Sequence, residues 1–336
     1  MSFQSYGKGN TNEGNKKEID YEALNTYVVE KAGLENPEVL VGVVAGIVDL
    51  GIQNQNDAQV VFTGNAQDEA DEVDNNPNTY FVDGKDPVTQ KPARLKCWPQ
   101  RAIQSVAIAV DFPEIMLDKG SFFGDASGAE KPLRLWLGGQ FYNNAQKCMV
   151  IARPTPLKIG KDTKNRWSFS SKHIFYKMAV AAKLIPSDGV FMPEAIDSLV
   201  GKAFQFEAQV YFKTNRGKEY FTEKVTFKSG LGRGQVAPES PVETFVVQFN
   251  GENNPQALKE IRNHVANTIR MANNYEGSPI QRQLEAAKNA YKSNTTSDEP
   301  DDEPEPQAPE VKKPVAVKKV TKVVPPPEDD DTESPF

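Results

Sequence analysis

Cysteine and histidine are nearly missing. The 336 residues contain two of each: Cys97, Cys148, His173 and His264. Two cysteines cannot build a disulfide framework, and they fit a reducing cytoplasm. No pairing among these four residues has the spacing of a zinc site. No local signature marks either cysteine as a nucleophile served by a histidine. Long apolar runs are missing too, and none approaches the length of a membrane span. The polar opening MSFQSYGKGNTNEGNKKE does not read as a secretory leader. Phosphate-binding glycine motifs are also lacking. "LKIGKDTKN" holds Gly160-Lys161 without a glycine five residues earlier or a Ser/Thr after it. "GLGRGQ" (230–235) lacks the strand-turn-helix spacing of a dinucleotide fold. Neither a metal site nor a cofactor is therefore expected. A nuclease built from clustered Asp and Glu stays open, because carboxylates are plentiful and sequence does not display their geometry.

Charge is abundant but segregated. Residues 1–84 carry four basic and fifteen acidic side chains, residues 85–233 carry 24 basic and 13 acidic, and residues 234–297 carry six of each. Residues 298–336 carry five basic and twelve acidic, which matches the whole chain's net charge of −7. A basic central region inside a neutral body is the electrostatic footprint of a polyanion binder.

Residues 1–17 are rich in Gly, Asn and Lys and read as a flexible arm. The body, 18–297, alternates short strand signals with isolated helices. A helix is expected over 19–33. Strands are expected at 39–51, 58–64, 79–82, 93–98, 101–110, 132–137 and 147–152. "NAQDEADEVDNNPN" (65–78) reads as an acidic, solvated loop; it lacks the glycine and closing glutamate of a calcium loop. "SSKHIFYKMAVAAKLIP" (170–186) reads as a helix capped by Ser170 or Ser171 and stopped by Pro186, and a short helix is expected over 193–200. The clearest hairpin is "KAFQFEAQVYFKT" with "KEYFTEKVTFKS", joined through Asn215-Arg216-Gly217. Further helices are expected to open at Asn254-Pro255 and Ser278-Pro279. From Asp298 onward apolar periodicity stops, so 298–336 reads as a disordered linker and acidic tail. The fold class is β-rich α+β, a small barrel elaborated with several helices.

Basic and aromatic residues alternate on the expected strands, and alternation places them on one face. "RLKCW" sets Arg94, Lys96 and Trp98 opposite Leu95 and Cys97. "LRLWL" sets Arg134 and Trp136 opposite three leucines. In the hairpin, Tyr211 and Lys213, with Tyr220, Lys224 and Lys228, lie opposite the phenylalanines and valines of the core. "KDTKNRW" adds Lys161, Lys164, Arg166 and Trp167 in a loop. Each set offers a π-face for a base and a cation for its phosphate, as single-stranded nucleic acid binding needs. A tryptophan on a strand is more often packed than exposed, so each ring is a candidate for core as well.

The chain closes on "PPPEDDDTESPF". In the plainest reading this is a solvating tail, but solvation leaves the aromatic at Phe336 unexplained. A short acidic peptide with an aromatic tip also suits an apolar pocket ringed by Lys and Arg. "EDDDTESPF", together with a basic β-rich body and a low-complexity linker, resembles the bacteriophage single-stranded DNA-binding proteins. The resemblance implies an OB-type barrel and binding of single-stranded DNA without sequence preference. It also implies roles in replication, recombination and repair within the host cytoplasm. Recruitment of replication proteins such as polymerase or helicase would fall to Asp329, Asp330, Asp331, Pro335 and Phe336. The implied protein is not an enzyme; a metal-dependent nuclease and a structural or assembly protein are the rival readings.

Overall fold

A computed structural model describes residues 19–123, 127–215 and 217–293. The chain divides into two compact units. The larger draws on residues up to Gln55 and on 101–289; the smaller draws on 56–100 and on residues from 290 onward. In chain order, α1 (Tyr21–Ala32) and β1 (Glu38–Gln53) open the larger unit. The smaller unit is then inserted as β2 (Ala58–Val61), α2 (Ala66–Asn75), β3 (Tyr80–Lys85) and β4 (Pro92–Trp98). The larger unit resumes with β5 (Ile103–Leu117), β6 (Lys131–Trp136), β7 (Gln140–Asn143), β8 (Cys148–Ile151), β9 (Thr155–Pro156), β10 (Ile159–Lys161) and β11 (Trp167–Phe169). After α3 (Ile174–Ala181) come β12 (Ala203–Asn215), β13 (Lys218–Ser229), β14 (Phe245–Val247), α4 (Pro255–Lys259), α5 (Asn263–Arg270) and α6 (Pro279–Ser293).

Five long strands of the larger unit pair antiparallel in the order β13-β12-β1-β5-β6. β6 and β13 come together on the remaining side without a ladder, so the barrel is nearly closed. Alternation decides the interior. Val106, Ile108, Val110 and Phe112 of β5 meet Leu133 and Leu135 of β6, Val44 and Ile47 of β1, and Phe204, Phe206 and Val210 of β12. The helices α1 and α3 add Leu24, Val28, Phe175 and Met178 to the same core. The first helix begins where Asp20 accepts from the Ala23 N–H and stops at Gly33, whose φ of 65° few other residues adopt. In α3 the cap is the ring of His173, which accepts from the Phe175 N–H, not Ser170 or Ser171.

A second core lies outside the barrel wall. β12 leaves β1 at Val43, and β14 takes the vacated edge in parallel at Gly46–Val48. From there α4, α5 and α6 bring Val265, Ile269 and Ile280, with Phe245 and Phe249, over Ala45, Val48, Ala107, Ala109 and Trp136. Gly46 permits the approach: a Cβ there would stand 2.3 Å from the Phe245 ring. The single helix expected after Asn254-Pro255 is two, because Arg262 is extended (φ −71°, ψ 157°) and breaks it.

The smaller unit is a three-stranded antiparallel sheet, β2-β4-β3. The expected acidic loop is in fact α2, closed at its start by a reciprocal capping box between Asn65 and Asp68. The tail, 298–336, and the arm, 1–17, lie outside the described residues.

Candidate nucleic-acid interface

The β12–β13 hairpin keeps the face that alternation assigns to it. Phe206 pairs with Phe227, Ala208 with Val225 and Phe212 with Phe221, and these line the core side. The opposite side holds Lys213 beside Tyr220 and Tyr211 beside Thr222, with Gln209 beside Lys224. Lys213, Tyr220, Lys224 and Lys228 are exposed, and Tyr211 is half-buried. The Lys224 ammonium lies 5.3 Å from the Tyr211 ring centroid, so cation and ring already adjoin. Lys228 pairs with Glu207 at 2.8 Å. That pair is exposed and therefore weak enough for a phosphate to compete. The hairpin runs past the start of β1: on that side Gln209 and Val210 bond to the backbone of Glu35 and Leu34, which precede β1, and β12 continues to Asn215.

A second cation–ring pair sits on the β10–β11 hairpin. Lys161 and Trp167 are cross-strand partners, with the ammonium 5.8 Å from the ring. Trp167 is 54% exposed. Lys164 and Arg166 flank it but are tied to Asp188 and Asp162 at 2.8 and 2.7 Å. The Asp162 pair sets the turn, and its carboxyl is held below the ordinary value by bonds from the Arg166 backbone and side chain.

Arg134 and Trp136 do share a face, but it is the covered one, and the expectation of base and phosphate contact fails there. Trp136 is 3% exposed, packed against Phe245 and edge-on to His264. Arg134 binds both oxygens of the fully buried Asp111, at 2.7 and 2.9 Å, also pairs with Glu260, and lies over the Phe245 ring. Burial opposes its charge, but Asp111 and Glu260 outweigh burial and raise its pKa. Beside it Arg262 donates to the Arg134 carbonyl of β6 at 2.7 Å and to Glu223 of β13 at 3.4 Å. One side chain thus spans the two strands that no ladder joins. Lys119 lies in the same field, and burial and Arg262 push it down to about 8.

Arg94, Lys96 and Trp98 belong to the smaller unit. Arg94 makes paired bonds to Glu69 at 2.8 and 2.9 Å and a third to Asp83, and Lys96 pairs with Glu72 at 2.7 Å. Glu69 and Glu72 are one turn apart on α2, so the acidic helix neutralises the strand it covers. Residues 56–100 hold four basic and eight acidic side chains, which is no footprint for a polyanion. Trp98 is half-buried.

Sequence reading missed Phe141 and Tyr142, both exposed on β7. The strand is four residues long, too short for a periodic signal. Among the described residues no group of three His, Cys, Asp or Glu is placed to hold a metal ion, and no helix is long and apolar enough to cross a membrane. Asp329, Asp330, Asp331, Pro335 and Phe336 lie outside the described residues. No family model, curated protein or solved structure matches the chain.

Proposed function

We propose that the protein binds single-stranded DNA without sequence preference, on the outer face of the β12–β13 hairpin, and that it is a binding protein and not an enzyme. The observation that carries this reading is the co-facial set Tyr211, Lys213, Tyr220, Lys224 and Lys228, exposed except for the half-buried Tyr211 and mixed in the way stacking and phosphate contact require. Trp167 with Lys161 is a further contact of the same kind. The barrel is read as an OB fold. Numbered by sequence, its five long strands run 1-2-3-5-4 around the wall, and α3 lies between the third and fourth, which supports that reading. The role follows from the resemblance: protection of exposed single strands in phage replication and recombination, in the host cytoplasm. The acidic peptide bearing Asp329–Asp331, Pro335 and Phe336 then recruits replication proteins.

Titration of intrinsic tryptophan fluorescence with oligo(dT), in EDTA and with duplex as control, tests the reading. Saturable quenching by single strands is expected, with a log–log salt slope of about −3 to −4 for roughly 4–6 neutralised phosphates. A flat salt response, or duplex bound as tightly, overturns it. Removal of residues from Asp298 onward is expected to tighten binding at low salt, because an acidic competitor is lost. Weaker binding after that truncation rejects the tail's role.

A further inference from the structure

Residues 131–161 contain six lysines and arginines and no aspartate or glutamate. The middle of this stretch is the β7–β8 hairpin. Phe141 and Tyr142 are 46% and 49% exposed on it, and the cross-strand partner of Tyr142 is Met149, also exposed. Lys147 at its turn and Arg153 at its base are exposed and form no ion pair among the described residues.

The hairpin is held firmly from behind. Asn267 of α5 donates to the Met149 carbonyl at 3.0 Å, and the Thr268 hydroxyl accepts from the Ile151 N–H at 2.9 Å. Asn143 pins the turn by accepting from the Ala145 and Gln146 N–H groups. At the base, Gly138 adopts a φ of 90°, and a Cβ there would stand 2.1 Å from the Arg153 carbonyl oxygen. Ordered backbone therefore presents a ring, a thioether and two unpaired cations to water. The ring faces and the thioether leave adjoining apolar surface in water, and the unbroken positive sign of the stretch selects a polyanion.

We propose that the β7–β8 hairpin is a second contact for single-stranded DNA, with Tyr142 stacking a base against Met149 and with Lys147 and Arg153 taking phosphates. This rests on the reading of the β12–β13 face as the first contact. The two are separated along the barrel. The hairpin leaves from the end where β6 finishes and β5 begins, whereas the β12–β13 turn lies at the end where β1 begins. β12 alone, at 13 residues, spans about 40 Å. A short oligomer occupies one contact, and only a longer strand engages both.

The test uses the full chain with oligo(dT) of about 6 nucleotides, near the lower end of the site sizes of such barrels, and of about 30, beyond the upper end. Tyr142→Ala is expected to bind the long oligomer about tenfold or more weakly and the short one as the native chain does. Lys147→Gln with Arg153→Gln is expected to lower the salt slope for the long oligomer by about 1.4. Thermal midpoints of both variants, unchanged from the native, separate lost contact from lost fold. Native affinity of both variants for the long oligomer overturns the second contact alone. Failure of the native chain to bind either oligomer overturns the first reading and this one with it.

Discussion

The outer faces of two strand pairs in the same barrel make a controlled comparison. β6 in the first pair and both strands of the second alternate apolar residues inward with cations and rings outward. Over β5–β6 the outward residues are sealed beneath β14, α4 and α5, where Arg134 is bound to Asp111 and Trp136 is packed. Over β12–β13 the outward residues meet water. Alternation therefore decides which side chains share a face, and a distant segment decides what that face does. The same chemical kit of ring plus cation becomes a structural buttress in one place and a candidate binding surface in the other.

The comparison breaks most readily on the covered side. Arg134→Met leaves the Asp111 carboxylate buried without its partner, and a loss of about 3–5 kcal/mol in urea unfolding is expected. A loss below about 1 kcal/mol would mean the covered face is less sealed than described. Trp136→Ala is expected to cost a similar amount by opening a cavity, with DNA affinity of the folded fraction unchanged.

A smaller effect follows from His264, which is 6% exposed against Trp136. Burial, aided by Arg262, lowers it from 6.5 to about 4. The unfolded chain takes up a proton between pH 6.5 and 4 while the folded chain does not, so this group's contribution to stability is present above pH 6.5 and lost as pH falls toward 4. The full loss is about 3 kcal/mol. His264→Leu is expected to flatten the acid limb of the stability profile without abolishing it, because burial lowers His173 as well and with the same sign. An unchanged acid limb would place His264 in a wetter setting.

On the open side the order of effects reverses. Tyr211→Ala and Tyr220→Ala are expected to cost about 1–3 kcal/mol of single-strand affinity for each ring that stacks a base. Unfolding midpoints should move by no more than about 0.5 kcal/mol. The smallest change is expected from Lys224→Gln, which should lower the magnitude of the salt slope by about 0.7. A Tyr220 variant that unfolds instead would turn the open face into a second covered one.

Much of this was legible in the sequence. The paired phenylalanines of β12 and β13 and the leucines of β6 gave the barrel wall its inward face, and β1 carried the valine run of a buried strand. Other parts had no local signal. α2 has too few apolar residues for a helical period and is held by its capping box and by Arg94 and Lys96. The break at Arg262 depends on partners in β6 and β13, far away in sequence. The fate of Trp136 was set by Phe245 and His264, more than a hundred residues downstream. A strand can announce that its outer side chains are polar or aromatic, but not which later segment will lie on them.

The bridge made by Arg262 also bears on when the barrel can be finished. All five long strands have been synthesised once Ser229 is made, yet the side chain joining β6 to β13, and the helices that bury Trp136, come later, up to Leu284. At roughly 5–20 residues per second, translation of the intervening stretch takes about 3–11 s. For that interval the nascent chain carries a wall with an unbridged seam and a bare apolar flank. A chain paused after β13 has emerged from the ribosome but before α5 and α6 have would keep that seam and flank exposed, and further elongation would be the step that covers them.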